Sequence, residues 1–200
     1  MKDVINHYDL LIDEGNDPVH DPKPLKDYMN KWDGQRFMDC MMLNSDKSVL
    51  EIGVGTGRIA MKVAPLCHSF LGIDISPKTI ARAEENLSAN SNVRLVCGDF
   101  MTFDFLDRFD VVYSSLTFMH IQDKQAAIQK AASLLKDKGL FVLSMDKNRS
   151  ECIDMGTRKI KIYPDDPIRT RQFLEAAELI IKDSFETAHA HVMVAKKASM

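Results

Sequence analysis

A short glycine-rich stretch constrains the fold of this chain more than any other feature. Residues 49–52 are apolar apart from one glutamate, as in a buried strand, and residues 53–57 then read Gly-Val-Gly-Thr-Gly. Glycines at alternate positions let the backbone turn sharply and let a ligand lie directly against it, because no Cβ stands in the way. A strand, a glycine-rich loop and a helix in this order commonly hold a nucleotide-like cofactor at the carboxyl edge of an α/β sheet. The stretch therefore predicts an α/β fold with a cofactor site at this loop.

The rest of the chain alternates between strand-like and helix-like segments. Predicted strands occupy residues 48–52, 70–74, 93–97, 109–114, 140–145 and, more weakly patterned, 159–163. Predicted helices occupy residues 57–66, 77–90, 123–135 and 166–179. This alternation predicts right-handed crossovers and a doubly wound, mostly parallel sheet. The last two segments, 180–186 and 191–196, are too close together for a helical crossover, so we expect an antiparallel hairpin.

The N-terminal segment differs from the rest. Residues 1–46 carry no strand pattern and are predicted to form a helical cap, part of the same domain as the cofactor-binding residues 47–200. Helical spacing is shared by Leu25, Tyr28, Met29 and Trp32. Four side chains of this cap are candidates for a lid over the substrate: Tyr8, Tyr28, Trp32 and Arg36. Alternatively, Tyr28 and Trp32 simply pack the helix onto the sheet.

Composition and charge disfavour several functional classes. The formal net charge is −3, so no global basic field is present to hold a nucleic acid. No apolar run approaches the roughly 18 residues of a membrane span, and no secretion signal is evident, so we expect a cytoplasmic protein. The four cysteines are widely spaced, and three lie in apolar segments, which predicts buried thiols rather than disulfides: Cys40, Cys67, Cys97 and Cys152.

The spacing of the glycines and of two acids indicates the kind of cofactor. Dinucleotide-binding loops read G-x-G-x-x-G, whereas this loop reads G-x-G-x-G and is followed by Arg58, which suits a ligand without a pyrophosphate. Asp74 ends the second predicted strand, where a carboxylate can accept both hydroxyls of a ribose. Asp99 follows the third strand and is placed to accept from an adenine amino group, while Phe100 and Ile75 could enclose the ring.

Together these motifs resemble those of class I S-adenosylmethionine-dependent methyltransferases. The resemblance rests on five segments in register, namely 51–57, 72–74, 98–99, 109–112 and 134–139. It implies a Rossmann-like, seven-stranded sheet in which the last strand is inserted antiparallel. It also implies that S-adenosyl-L-methionine is the cofactor, with its methionine part flanked by Gly53, Gly55 and Gly57, its ribose held by Asp74 and its adenine by Asp99. Ser115 and Leu116 fall where family members line the methyl-donor pocket.

The resemblance implies methyl transfer, but the acceptor is less defined. Residues 113–116 lack the Asn/Asp-Pro-Pro-aromatic motif of enzymes that methylate exocyclic or amide nitrogens, and no Pro-Cys nucleophile lies nearby. Small-molecule O-, N- or C-methylation remains. Because the donor is already activated, the protein mainly supplies alignment, exclusion of water and, for some acceptors, a base. His120 follows the fourth strand and is the candidate base, or else it orders its loop without titrating.

Several other polar residues have two interpretations each. Glu51 lies inside the first strand and either accepts hydrogen bonds from backbone or cofactor, or pairs with a buried Lys or Arg. Arg58 either reaches a carboxylate of cofactor or acceptor, or is exposed at the start of a helix. His189 and His191 could face one way and hold a metal, but no third ligand is visible, and an exposed strand face is the plainer account.

Two alternative functions remain open at this stage. One is a nicotinamide-dependent oxidoreductase, which the missing third glycine of the dinucleotide pattern disfavours. The other is a non-catalytic S-adenosylmethionine-binding protein. The expected partner is a small-molecule acceptor, without membrane or nucleic acid, and the sequence leaves monomer and homodimer open.

Overall fold

The structure is a computed structural model that describes residues 2–199. Met1 and Met200, the end residues of the predicted segments 1–46 and 47–200, lie outside this range. Within it, the strands are β1 (Ser48–Ile52), β2 (Ser69–Asp74), β3 (Val93–Cys97), β4 (Phe109–Ser115), β5 (Leu135–Asp146), β6 (Cys152–Asp154), β7 (Lys159–Lys161), β8 (Leu179–Glu186) and β9 (Ala190–Lys197). The α-helices are α1 (Lys2–Asp13), α2 (Lys23–Met29), α3 (Gly34–Asp39), α4 (Ala60–Val63), α5 (Pro77–Asn86), α6 (Lys124–Ser133) and α7 (Pro167–Ala176).

The seven-stranded sheet has the predicted topology. Its strand order is β3-β2-β1-β4-β5-β9-β8, and only β9 runs antiparallel to its neighbours, between β5 and β8. The Rossmann-like fold with an antiparallel last strand is therefore confirmed. Ile52 at the end of β1 lies beside Ile73 of β2 and Ser114 of β4. Because parallel strands end at one edge, the loops after β1, β2 and β4 meet there.

Apolar side chains cover both faces of the sheet, as a doubly wound fold requires. Along β1 they alternate, so that Leu50 packs with α6 and α7 on one face and Val49 packs with α4 and α5 on the other. Both side chains are fully buried. Burying an aliphatic side chain of this size contributes about 1.5–3 kcal/mol, so these two layers hold the strand ends in fixed positions.

The helices before β1 are anchored to the sheet domain. In α1, Asp9 Oδ1 accepts from Ser76 Oγ at 2.7 Å and from the backbone N–H of Lys78 at 3.2 Å, at the start of α5. In α3, Phe37 is fully buried, and its ring centroid lies 6.0 Å from that of Tyr113 on β4. The cap is thus attached to the sheet domain by polar as well as apolar contacts.

Some predicted element boundaries are wrong, for local reasons. The helix predicted from Gly57 begins only at Ala60, because Gly57 has φ +96°, which no helix accommodates. The helix predicted to reach Leu135 ends earlier. Leu135 and Gly139 both lie in β5, which also has a shift in its pairing register with β4. The helix predicted to reach residue 179 ends earlier, since Glu178 has φ +59°.

Two further findings concern the cysteines and the membrane. All four thiols are free, but only Cys67 is buried and Cys97 is exposed, so the expectation of three buried thiols is wrong. Burial raises the pKa of Cys67 to about 11. In residues 2–199, no helix combines the length and apolarity needed to cross a membrane.

Candidate functional site

A cavity of about 880 Å³ lies at the carboxyl edge of the sheet, beneath the N-terminal cap. Its walls include the glycine-rich loop and the ends of β2 and β3. They also include residues of α1, of β7 and of the 3-10 turn Phe118–His120 that follows β4. Cavities of this volume accommodate ligands of drug size or somewhat larger.

The three glycines of the loop serve different purposes. Gly55 has φ +57°, and a Cβ built on it would meet no atom within 4 Å, so the backbone here faces open space. A Cβ on Gly53 would lie 1.9 Å from Thr117 Oγ1, so only glycine fits against the loop after β4. Gly57 is not among the described residues that line the cavity, and a Cβ there would press on Leu87 Cδ1 at 3.1 Å. Gly57 therefore permits packing against the end of α5, and its contact with the cofactor stays a prediction.

Asp74 lies at the floor of the cavity, next to the glycine-rich loop. Its Oδ2 accepts from the N–H of Gly55 at 3.0 Å and its Oδ1 from the N–H of Ser76 at 3.0 Å. Burial raises the pKa of this carboxyl, although the backbone donors oppose that shift. Ile75 lines the same wall. A carboxylate oxygen can accept more than one hydrogen bond, so Asp74 has capacity left for a ligand.

The turn after β3 adds an acid and an apolar wall. Asp99 Oδ1 accepts from the N–H of Met101 at 2.9 Å, and Asp99, Phe100 and Met101 all line the cavity. Phe100 is only 6% exposed and packs near Phe105, with centroids 5.9 Å apart, so it belongs to the core as well. Sequence reasoning missed Met101, since a methionine after a turn carries no signal for ligand binding.

After β4, Ser115 and Leu116 line the cavity in the predicted position. The Ser115 hydroxyl donates to Asp33 Oδ2 at 3.0 Å, and Leu116 has φ +58°, an uncommon conformation for leucine. Asp33 also accepts from both Arg58 Nη atoms, at 3.1 and 2.5 Å. Arg58 is thus largely buried, so the interpretation as an exposed residue is wrong. It also lines the cavity, and its reach to a carboxylate of cofactor or acceptor stays a prediction. Burial opposes protonation, but the Asp33 carboxylate raises the pKa of Arg58.

Glu51 has a partner that the sequence did not suggest. Its Oε2 accepts from Tyr113 Oη at 2.7 Å, and the carboxyl is 2% exposed. Burial raises the pKa of Glu51 well above its usual range, while the phenol and the charge of Arg58 act in the opposite direction. The salt bridge considered for Glu51 is not formed. Glu51 also lines the cavity, so its contact with a cofactor stays a prediction.

Tyr8 and His120 form a hydrogen-bonded pair in the wall of the cavity. Tyr8 Oη lies 2.8 Å from His120 Nε2, and both residues line the cavity. Burial, together with the positive charges of His7 and Lys124, lowers the pKa of His120 to about 4. The imidazole is therefore neutral at neutral pH and a weak base.

The lid candidates separate into two groups. Tyr8 and Tyr28 line the cavity, whereas Trp32 and Arg36 do not. Trp32 stacks on His189 with centroids 4.6 Å apart, and Arg36 pairs with Asp183 at 2.9 Å. These two residues attach the cap to the β8–β9 hairpin, so the prediction that they face the substrate is corrected. The alternative of packing applies to Trp32.

The residues described contain no group of three or more His, Cys, Asp or Glu side chains arranged to hold a metal ion. His189 lies against Trp32, and His191 Nδ1 is 3.3 Å from Glu186 Oε1. The two histidines thus contact different partners.

Comparison with known proteins supports the resemblance seen in the sequence. Residues 49–139, a little under half of the chain, match the family model for a methyltransferase domain. Over these residues the chain is similar to class I S-adenosylmethionine-dependent methyltransferases. S-adenosylmethionine, the predicted cofactor, is the cofactor of this family. This similarity lends no support to an oxidoreductase.

Individual members of the family are more distant. Nodulation protein S of Sinorhizobium fredii is 26% identical over 153 residues, which cover 72% of this chain and 69% of that protein. An uncharacterized methyltransferase of Anoxybacillus flavithermus is 31% identical over 121 residues, 58% of this chain and 56% of that protein. The chain thus spans only about half the length of that second relative.

A solved structure shares the fold. The N-methyltransferase NodS of Bradyrhizobium japonicum WM9, crystallised with S-adenosyl-L-homocysteine, superposes with a TM-score of 0.70 at 17% identity. The match covers 91% of this chain and 93% of that one. At this identity the likeness concerns the fold, and function has to be argued from the site.

Proposed function

We propose that this chain transfers a methyl group from S-adenosylmethionine to a small-molecule acceptor. One observation carries the proposal: a single cavity is lined by Gly55 and Asp74 and also by Tyr8 and His120. A group-transfer enzyme needs such a continuous space, because donor and acceptor must meet in one water-poor compartment.

The residues around the glycine-rich loop fit the donor. Gly55 offers a backbone surface without a side chain, Asp74 offers carboxylate oxygens for ribose hydroxyls, and Asp99 lies beside the apolar Phe100 and Met101 for an adenine ring. When bound, the donor supplies a methyl group activated by its sulfonium. An acceptor can attack the methyl carbon in line with the carbon–sulfur bond, and the thioether leaves. The chain's own contribution is to bind, orient and exclude water.

The residues around Tyr8 and His120 fit an acceptor of modest polarity. Tyr8 and His120 supply its polar pair, and Met119, Ile160 and Tyr163 supply apolar and aromatic surface. An imidazole with a pKa near 4 is suited to hydrogen bonding rather than to removing a proton from a hydroxyl. An amine acceptor needs least help from a base. Since the NodS structure bears the name N-methyltransferase, nitrogen acceptors are the first class to test.

Titration calorimetry with S-adenosylmethionine and S-adenosylhomocysteine tests the donor half of the proposal. We expect binding to the unmodified protein and a loss of about 1.5–3 kcal/mol, or tenfold and more, for Asp74→Ala, the range for a hydrogen bond to a charged group. Asp137→Ala removes an exposed carboxylate from the opposite edge of the sheet and should leave the affinity unchanged. Failure of the unmodified protein to bind either ligand at high micromolar concentration contradicts the proposal.

The two competing functions give different results. A nicotinamide-dependent oxidoreductase would be stabilised against heat by a nicotinamide dinucleotide and not by S-adenosylmethionine. A non-catalytic binding protein would bind the donor tightly yet form no S-adenosylhomocysteine with any member of a panel of amines, phenols and thiols.

A further inference from the structure

The pairing of Tyr8 with His120 joins the first helix of the cap to the loop after the fourth sheet strand. We propose that Tyr8 is a catalytic residue whose phenol hydrogen-bonds the reacting N–H or O–H group of the acceptor, and that His120 is the positioning residue that orients it. The inference rests on the proposed function and assigns the contact to a residue of the cap.

The location of the phenol supports this role. His120 ends the turn that begins three residues after Ser115, at the donor side of the cavity. Tyr8 reaches this turn from α1, with its ring edge-on to the imidazole at a centroid distance of 5.5 Å. Burial and the Asp74 carboxylate both raise the pKa of Tyr8, so Asp74 is close enough to act on the phenol electrostatically. The Tyr8 phenol thus lies near Asp74, the predicted ribose ligand, as well as beside His120.

The Tyr8 phenol has hydrogen-bonding capacity that its contact with His120 does not use. A neutral imidazole has one donor and one acceptor nitrogen, so a single proton is shared along the Tyr8 Oη···His120 Nε2 contact. If the phenol donates, its oxygen lone pair remains for a ligand N–H or O–H; if it accepts, its own O–H remains. His120 Nδ1 is buried and has no hydrogen-bond partner among the described residues. Tyr8 is therefore the hydrogen-bond partner of this imidazole among the described residues.

Contacts on both sides of Tyr8 hold it in place. The preceding residue, His7, accepts at Nδ1 from Arg158 Nε at 3.0 Å, and Arg158 also binds Glu14 through both Nη atoms, at 2.6 and 2.8 Å. The following residue, Asp9, accepts from Ser76 Oγ at 2.7 Å. Helix α1 is thus pinned to the β6–β7 hairpin on one side and to α5 on the other. A hydroxyl held in this way is preorganised for a ligand.

The test uses two donor-site ligands, because no acceptor is needed to read it. Sinefungin carries an amino group where the donor carries its sulfonium methyl group, whereas S-adenosylhomocysteine carries nothing there. We expect Tyr8→Phe to weaken sinefungin about tenfold or more, the scale for a hydrogen bond to a charged group, and S-adenosylhomocysteine less than twofold. Equal losses for both ligands, or no loss for either, would overturn the assignment.

Further variants separate a positioning role from a general structural one. His120→Ala should lose part of the preference for sinefungin, and His120→Gln, which retains a hydrogen-bonding group, should recover some of it. Asp137→Ala, at an exposed position on the opposite edge of the sheet, should leave the ratio of the two affinities unchanged; a selective loss there instead contradicts the role of Tyr8. If the unmodified protein binds neither ligand, the proposed function fails. If it binds both and Tyr8→Phe does not discriminate, only this inference fails.

Discussion

Arg58 and Asp33 form a two-point ion pair that fastens the N-terminal cap to the glycine-rich loop. Nη1 lies 3.1 Å from Oδ1 and Nη2 lies 2.5 Å from Oδ2. The side chains are 14% and 4% exposed, respectively, so the pair is nearly sealed from water. Asp33 also accepts from the N–H of Gly34 at the start of α3 and from Ser115 at the end of β4. One carboxylate therefore joins three segments around the cavity.

Removing either partner of this pair should be costly. Asp33→Ala leaves a buried guanidinium without its carboxylate, and we expect the free energy of unfolding to fall by about 3–5 kcal/mol in urea titrations. Arg58→Ala should cost a similar amount. The double variant should cost clearly less than the sum of the two, because the second substitution removes the charge that the first left unpaired. Strict additivity would show that the two side chains do not interact.

Gly55→Ala and Gly57→Ala should have contrasting effects. An alanine at position 55 adopts φ +57° at a cost of about 1–2 kcal/mol and meets no atom, but its methyl group enters the space facing the cavity. Its main effect should be a tenfold or greater loss of affinity for S-adenosylhomocysteine in calorimetry. Alanine at position 57 would combine φ +96° with pressure on Leu87, so its main effect should be on the unfolding free energy. A larger loss of affinity for Gly57→Ala than for Gly55→Ala would contradict this prediction.

Glu51→Gln should stabilise the protein increasingly as the pH rises. The folded-state pKa of Glu51 lies well above its ordinary 4.5. The protonated carboxyl therefore favours folding fully at pH values below 4.5, and this contribution is lost as the pH rises toward the folded-state pKa. Glutamine keeps an acceptor for Tyr113 but has no proton to lose. The difference in unfolding free energy between variant and unmodified protein should therefore grow from pH 4.5 to pH 8. Tyr113→Phe, which leaves a buried acid without its donor, should instead cost about 1–3 kcal/mol.

His120 should destabilise the fold in mild acid. Its pKa of about 4 in the folded protein lies below the ordinary value of 6.5, so the unfolded chain binds the proton first and stability falls between pH 6.5 and pH 4. The full effect is about 3 kcal/mol at 1.36 kcal/mol per pH unit. His120→Gln should lack this part of the pH dependence, whereas His68→Gln, at an exposed position, should retain it. Parallel curves for the unmodified protein and His120→Gln would contradict the lowered pKa.

The sheet was predictable because its signals are local. Runs of apolar residues marked β1, β2 and β4, and the side chains of Ser76 and Asp123 cap α5 and α6. Asp74 could be placed at the cofactor end for the same reason, since a strand end and a glycine-rich loop on adjacent strands necessarily meet.

The parts that failed depend on tertiary neighbours. Helical spacing showed that Trp32 lies on the buried side of the cap, but not that its neighbour is the β8–β9 turn rather than the cavity. The pairing of Arg58 with Asp33 and that of Tyr8 with His120 each bring together distant segments, and no pattern along the chain encodes such a contact. Gly57 looked equivalent to Gly55, although only the packing of Leu87 distinguishes them.

The insertion of β9 between β5 and β8 also has a consequence for how this protein reaches its native state. Within the seven-stranded sheet β8 pairs only with β9, and β9 in turn pairs with β5. On the ribosome, β5 therefore has an unpaired edge until both β8 and β9 have emerged. Such late, non-local pairing slows folding and leaves an apolar strand edge exposed to other nascent chains in the meantime.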